Sequence, residues 1–170
     1  MRALSFLVML TVAAGLHLAG VVLFPGFAHA VDLVLVVVVL FARDGRVTGA
    51  TVGGSIAGLV ADGLAGGPFG LHGFADTLVG YTAARVAQQL VVQRSSGILL
   101  VFTLASALQQ ALLAALAVLL LPAAELPAAP WMIVKAAATG VVGLLVAQAE
   151  RMIAGRFAKR RIDRRSGLRR

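Results

Sequence analysis

The sequence predicts an all-α membrane protein with six transmembrane helices, on three observations. Of its 170 residues, 60% are hydrophobic and 13% charged, whereas a soluble globular chain is about half apolar and a quarter charged. A water-soluble domain of this composition could not cover its own surface. The apolar residues also gather into segments close to the roughly 20 that a helix needs to cross the hydrocarbon. Finally, the loops between those segments alternate between arginine-bearing and arginine-free, as the positive-inside rule requires of a chain that re-crosses at every segment.

The first segment runs near residues 3–24. Ala28, His29 and Ala30 after it have the form of a signal-peptidase site. A signal peptide's apolar core is about 7–15 residues, and this run is longer, so the segment is expected to be retained. His17 within it is expected to be a satisfied packing histidine. The second segment, 26–42, has a short, valine-rich core, "LVLVVVVLFA", whose pattern fits a buried strand as well as a helix. A lone strand cannot satisfy its backbone in lipid, so a helix is predicted. Were this segment not to cross, Arg43 and Arg46 would face the opposite side from the basic C-terminus.

The third segment, 47–65, is dense in glycine. Gly49 and Gly53, and again Gly54 and Gly58, have the four-residue spacing that lets helix backbones approach closely. It is therefore expected to be a tightly packed central helix. "GGPFG" then turns the chain on the outer side. The fourth segment, 71–91, begins with His72 and Asp76, four apart and so on one helix face. Folding about the turn brings Asp62 to their depth. All three are expected to form one polar layer within about two turns of the outer surface.

Ionisable groups inside a membrane are functional candidates by default. Asp62, His72 and Asp76 have the chemistry to relay protons, hold a cation or hydrogen-bond neighbouring helices, and the last is the expected role. On that reading Asp62→Asn is mild, because the amide still hydrogen-bonds. The trio lacks characteristic metal-ligand spacing, so no metal and no cofactor is predicted. Arg85 is assigned an anchoring role; Gln88, Gln89, Gln109 and Gln110 are assigned hydrogen bonds between helices.

The fifth and sixth segments are 98–121 and 131–153. Lys135, one turn past Trp131, fits a lysine snorkelling to the outer interface beside an interfacial aromatic. The boundary between the membrane domain, 1–153, and a basic tail, 154–170, is set by charge. Nine basic residues from Arg151 onward face only Asp163, which accounts for the entire net charge of +8. Arg156, Lys159, Arg160, Arg161, Arg164 and Arg165 are the predicted contacts to anionic lipid or cytoskeletal protein. Beside a membrane span, lipid is a nearer partner than nucleic acid, and none of the latter is expected. With no cysteine, disulfides and thiolate metal sites are excluded.

"DGRVTG" followed by Gly58 and Asp62 invites comparison with the CDP-alcohol phosphotransferases. Asp44, Gly45, Gly58 and Asp62 fall at that motif's spacings, but Phe41 and Gly66 stand where its other aspartates belong, and Thr48-Gly49 replaces its Ala-Arg pair. Half of the carboxylates that would hold two divalent ions are missing. No nucleophile elbow, phosphate loop or zinc helix occurs elsewhere, so no enzymatic activity is predicted.

The stretch "GSIAGLVADGLAGGPFGLHGFADTLVGY" resembles the signature of MreD, the integral-membrane rod-shape-determining family of bacteria. Gly58, Leu59 and Asp62 match the family's Gly-Leu-x-x-Asp, Gly70 and Leu71 its following Gly-Leu, and Gly80 and Tyr81 its Gly-Tyr. The resemblance implies a scaffold in the inner membrane, in the machinery that builds the lateral peptidoglycan wall. Partners implied are MreC, the actin-like MreB, the polymerase RodA and a class B penicillin-binding protein. It also implies a six-helix bundle similar to the substrate-binding subunits of energy-coupling-factor transporters. The partner-binding or packing residues are then Gly49, Gly53, Gly54, Gly58, Asp62, His72 and Asp76. The alternative is that the chain is itself such a transporter subunit, with the outer polar layer as its ligand pocket. A stand-alone proton-coupled permease would have the carboxylates but lacks a detectable inverted repeat.

Overall fold

The computed structural model describes residues 3–24, 26–89, 95–121 and 128–167, with side chains placed except at 95, 154 and 157–167. Arg94 and residues 122–127 lie outside them, as do the side chains of Lys159, Arg160, Arg161, Arg164 and Arg165.

The described residues form helices and connecting turns, with no strand. In chain order they are α1 (Ala3–Leu23), α2 (Phe27–Ala30), α3 (Leu33–Ala42), α4 (Val47–Ala65), α5 (Leu71–Gln89), α6 (Ser95–Leu120) and α7 (Ala129–Gly167). Four of these, α1, α4, α6 and α7, are long and apolar enough to cross a membrane. The chain is a multi-pass membrane protein.

The expected second segment is a broken helix. The turn α2 is followed by extended backbone at Val31 and Asp32, and α3 restarts with Asp32 as its N-cap, Oδ1 accepting from the Leu35 N–H at 2.9 Å. α3 is also the centre of the bundle, a place expected for the glycine-rich helix. Val34 through Leu40 are all buried. Leu35, Val36, Val39 and Leu40 pack with Val79, Ile98 and Phe102, while Val34, Val37 and Val38 pack with Phe6, Leu10 and Ala57. A helix apolar on every side belongs where every side has a protein neighbour, and this explains the unbroken valine run. α4, by contrast, leaves Val52, Ile56 and Leu59 exposed.

The closest helix pair is α4 with α5. A Cβ on Gly58 would overlap the His72 carbonyl; one on Gly54, the Asp76 carbonyl; and one on Gly80, the Ala50 carbonyl. These crossings run along both helices, so α5 stays beside α4 for its full length. Lipid gives no hydrophobic incentive for one apolar helix to prefer another, so backbone approach through small residues selects the pairing. Gly53 instead faces the Phe41 ring of α3, and Gly49 lies at ordinary contact distance from Phe41 and Arg46. Gly140 and Gly143 of α7 instead make room for side chains: added Cβ atoms there would strike the Thr103 hydroxyl and the Phe102 ring of α6.

α7 has 39 residues, about 58 Å at the helical rise, nearly twice the roughly 30 Å of hydrocarbon. Its apolar portion ends at Ile153, and the helix continues unbroken to Gly167. The change at residue 153 is therefore one of chemistry within a single helix.

Candidate functional site

Two polar clusters are built from the α2–α3 break, the α4–α5 turn, the C-terminal half of α6 and the N-terminal half of α7. In the first, Asp62 sits in the last turn of α4. Gly66, in the left-handed conformation at φ 65°, ends that helix by returning its N–H to the Asp62 carbonyl. Gly70, at φ 105°, redirects the chain into α5. Both angles disfavour any residue with a Cβ, so "GGPFG" specifies this turn. The turn presents the free N–H groups of α5 to the Asp62 carboxylate, which accepts from Gly70 at 2.8 Å, His72 at 2.9 Å and Gly73 at 3.1 Å. His72 Nδ1 donates to Asp62 Oδ1 at 2.9 Å. Asp62 is thus an N-cap supplied by the preceding helix, with its charge at the positive end of α5.

Asp76 does not join Asp62 and His72 in one layer, as the sequence reading expects. It points the other way, into a second cluster. Gln109 Nε2 of α6 donates to Asp76 Oδ1 at 2.8 Å and to Asp32 Oδ2 at 3.1 Å. The Asp32 backbone N–H reaches Thr139 of α7 at 3.1 Å, and Lys135 Nζ lies 3.8 Å from Asp32 Oδ2. Asp32, Asp76, Gln109 and Thr139 are buried. One amide and one cap residue therefore tie α3, α5, α6 and α7 together. The Lys135 side chain lies against Asp32 and is only 18% exposed.

The sequence reading missed Asp32, although an aspartate just before an apolar run is an N-cap signal. Gln109 was expected to bond between helices, and it does. Gln110 links α6 to the Met132 carbonyl of α7 at 3.0 Å, and Gln88 reaches the Gly45 carbonyl in the arginine loop at 2.9 Å. Arg85 lies 6.0 Å from the Tyr81 ring centroid. His17 packs edge-on to Phe27, but it is not the satisfied histidine expected, since its buried Nδ1 has no hydrogen-bond partner among the described residues.

A cleft of about 230 Å³ opens above the second cluster, with His29, His72, Gln110, Trp131, Met132 and Lys135 among its lining residues. The remainder of its wall is aliphatic, from the start of α5 and the C-terminal half of α6. Among the described residues, no three His, Asp or Glu side chains converge as metal ligands would. The basic residue of the tail whose side chain is described, Arg156, is exposed.

Fold and site together define an all-helical, multi-pass membrane protein with its polar groups gathered at helix junctions. Comparison of the chain with protein-family models, curated proteins and solved structures returned no match.

Proposed function

We propose that the chain is a membrane scaffold of the MreD type, with six passes through the bacterial inner membrane and both ends in the cytoplasm. It would bind MreC and join MreB, RodA and a class B penicillin-binding protein in lateral wall synthesis. One observation carries the reading beyond the sequence resemblance. The residues that bear the resemblance sit on a single hairpin, α4–α5, where their roles are structural: Gly58 admits the α5 backbone, Asp62 caps α5, and Gly80 admits α4. A signature made of caps and close approaches suits a protein whose output is a shape that others bind, and on this reading the chain is not an enzyme. The exposed apolar face of α1, including Leu4, Val8, Val12 and Leu16, is available to lipid or to a partner's helix. The basic end of α7 would meet anionic lipid or cytoskeletal protein, each Lys or Arg near the surface contributing about 1 kcal/mol at most.

Affinity purification of the full chain in native-like lipid tests this reading. Recovery of MreC supports it; recovery of an ATPase-coupled membrane partner with a bound small molecule overturns it in favour of a transporter's substrate-binding subunit. The outer cleft beside His29, His72 and Lys135 is the observation that favours that second reading.

A further inference from the structure

The second cluster leaves two buried side-chain oxygens without a hydrogen-bond partner among the described residues. We propose that Asp76 is a neutral carboxylic acid, joined to Gln109 by two hydrogen bonds in a closed acid–amide ring. Both side chains are entirely buried, at 0% exposure. One bond of the ring is present between heavy atoms, Gln109 Nε2 to Asp76 Oδ1 at 2.8 Å. The amide's second hydrogen goes to Asp32 Oδ2, so both donors of Gln109 are used. What remains on each group is a buried oxygen without a partner among the described residues: Asp76 Oδ2 and Gln109 Oε1. Two acceptors cannot bond each other, yet one hydrogen on Asp76 Oδ2 converts the pair into donor and acceptor. A buried acceptor left without a donor is costly, and one hydrogen there satisfies both oxygens together.

The charges around Asp76 agree. Those facing it are Asp32 from the α2–α3 break, Lys135 from α7 and Asp62 from α4. Lys135 is placed against Asp32, and Asp62 is held by the N–H groups that it caps and by His72 of α5 itself. An ionised Asp76 would add a second negative charge that no cation neutralises, in a site without bulk water. As a neutral acid it closes the ring instead, and α5 is clamped to α6 while Gln109 remains free to hold Asp32.

The test is infrared spectroscopy of the full chain in lipid nanodiscs at neutral pH. The carbonyl band of a protonated carboxylic acid is expected in the wild type, shifted by D2O and by carbon-13 labelling of aspartate. Asp76→Asn should abolish it and melt with the wild type, since an amide–amide ring replaces the acid–amide ring. Absence of an acid band from the wild type, or its persistence in Asp76→Asn, overturns the proposal. An ionised carboxylate bridged by water would give the first of these results. Should Asp76→Asn fail to fold, Gln109→Met decides: loss of the ring must move the band, and an unmoved band counts against it.

Discussion

Replacing Asp62 by asparagine should be costly, contrary to what hydrogen-bonding capacity alone suggests. The carboxylate accepts from four donors, two at each oxygen: Gly70 and Gly73 at Oδ2, His72 N–H and Nδ1 at Oδ1. Asparagine has one acceptor oxygen. With its NH2 group at the Oδ2 position it faces two backbone donors; with NH2 at the Oδ1 position, His72 Nδ1 can accept by changing tautomer and one bond, from the His72 N–H, is lost, while the charge that strengthens the others is gone in either case. Hydrogen bonds to a charged group contribute about 1.5–3 kcal/mol each. The loss is therefore on the order of 1.5–3 kcal/mol for the less costly orientation, in a site where the Gly70 and His72 bonds are part-buried. Asp62→Ala, which removes all four acceptor positions, sets the upper reference. Denaturant unfolding of the three proteins in detergent, followed by Trp131 fluorescence and circular dichroism, measures the difference. An asparagine variant within about 1 kcal/mol of the wild type would refute the inter-helix cap, since it would mean that an amide serves where four donors converge.

The remaining predictions use the same unfolding assay or vesicle binding. Gly58→Ala should lose about 1–3 kcal/mol or more by overpacking, while Gly63→Ala, whose Cβ would meet nothing within 4 Å, should be neutral or slightly stabilising. Equal effects would show that the α4–α5 backbones are not in contact at Gly58. Lys135→Met should cost on the order of 2–3 kcal/mol, less than a fully buried pair, because part of the lysine is exposed. Adding Asp32→Asn should recover some of that loss, and a strictly additive double mutant would show that the two do not interact. Changing Arg156, Lys159, Arg160, Arg161, Arg164 and Arg165 to glutamine should weaken binding of a peptide spanning 154–170 to anionic vesicles, with the difference shrinking as salt rises. Binding that is unchanged at every ionic strength would remove the electrostatic role.

Composition and spacing alone determined that this chain is helical, lies in a membrane and carries its excess charge at one end. These follow from the absence of water in the bilayer core, which leaves a greasy polypeptide no other way to satisfy its backbone. The close approach at Gly54 and Gly58 was also legible, because a four-residue period is a local property. Tertiary structure alone decided which helix sits at the centre and which polar residues meet. His72 and Asp76 share a helix face in sequence terms, yet one turns to the α4–α5 junction and the other to Gln109. Asp32 and Lys135 are more than a hundred residues apart and find each other only because α3 is broken beside α7. Helical periodicity orders residues along one helix; the partner each side chain finds depends on how neighbouring helices are rotated and where they are interrupted, and packing across the whole bundle sets both.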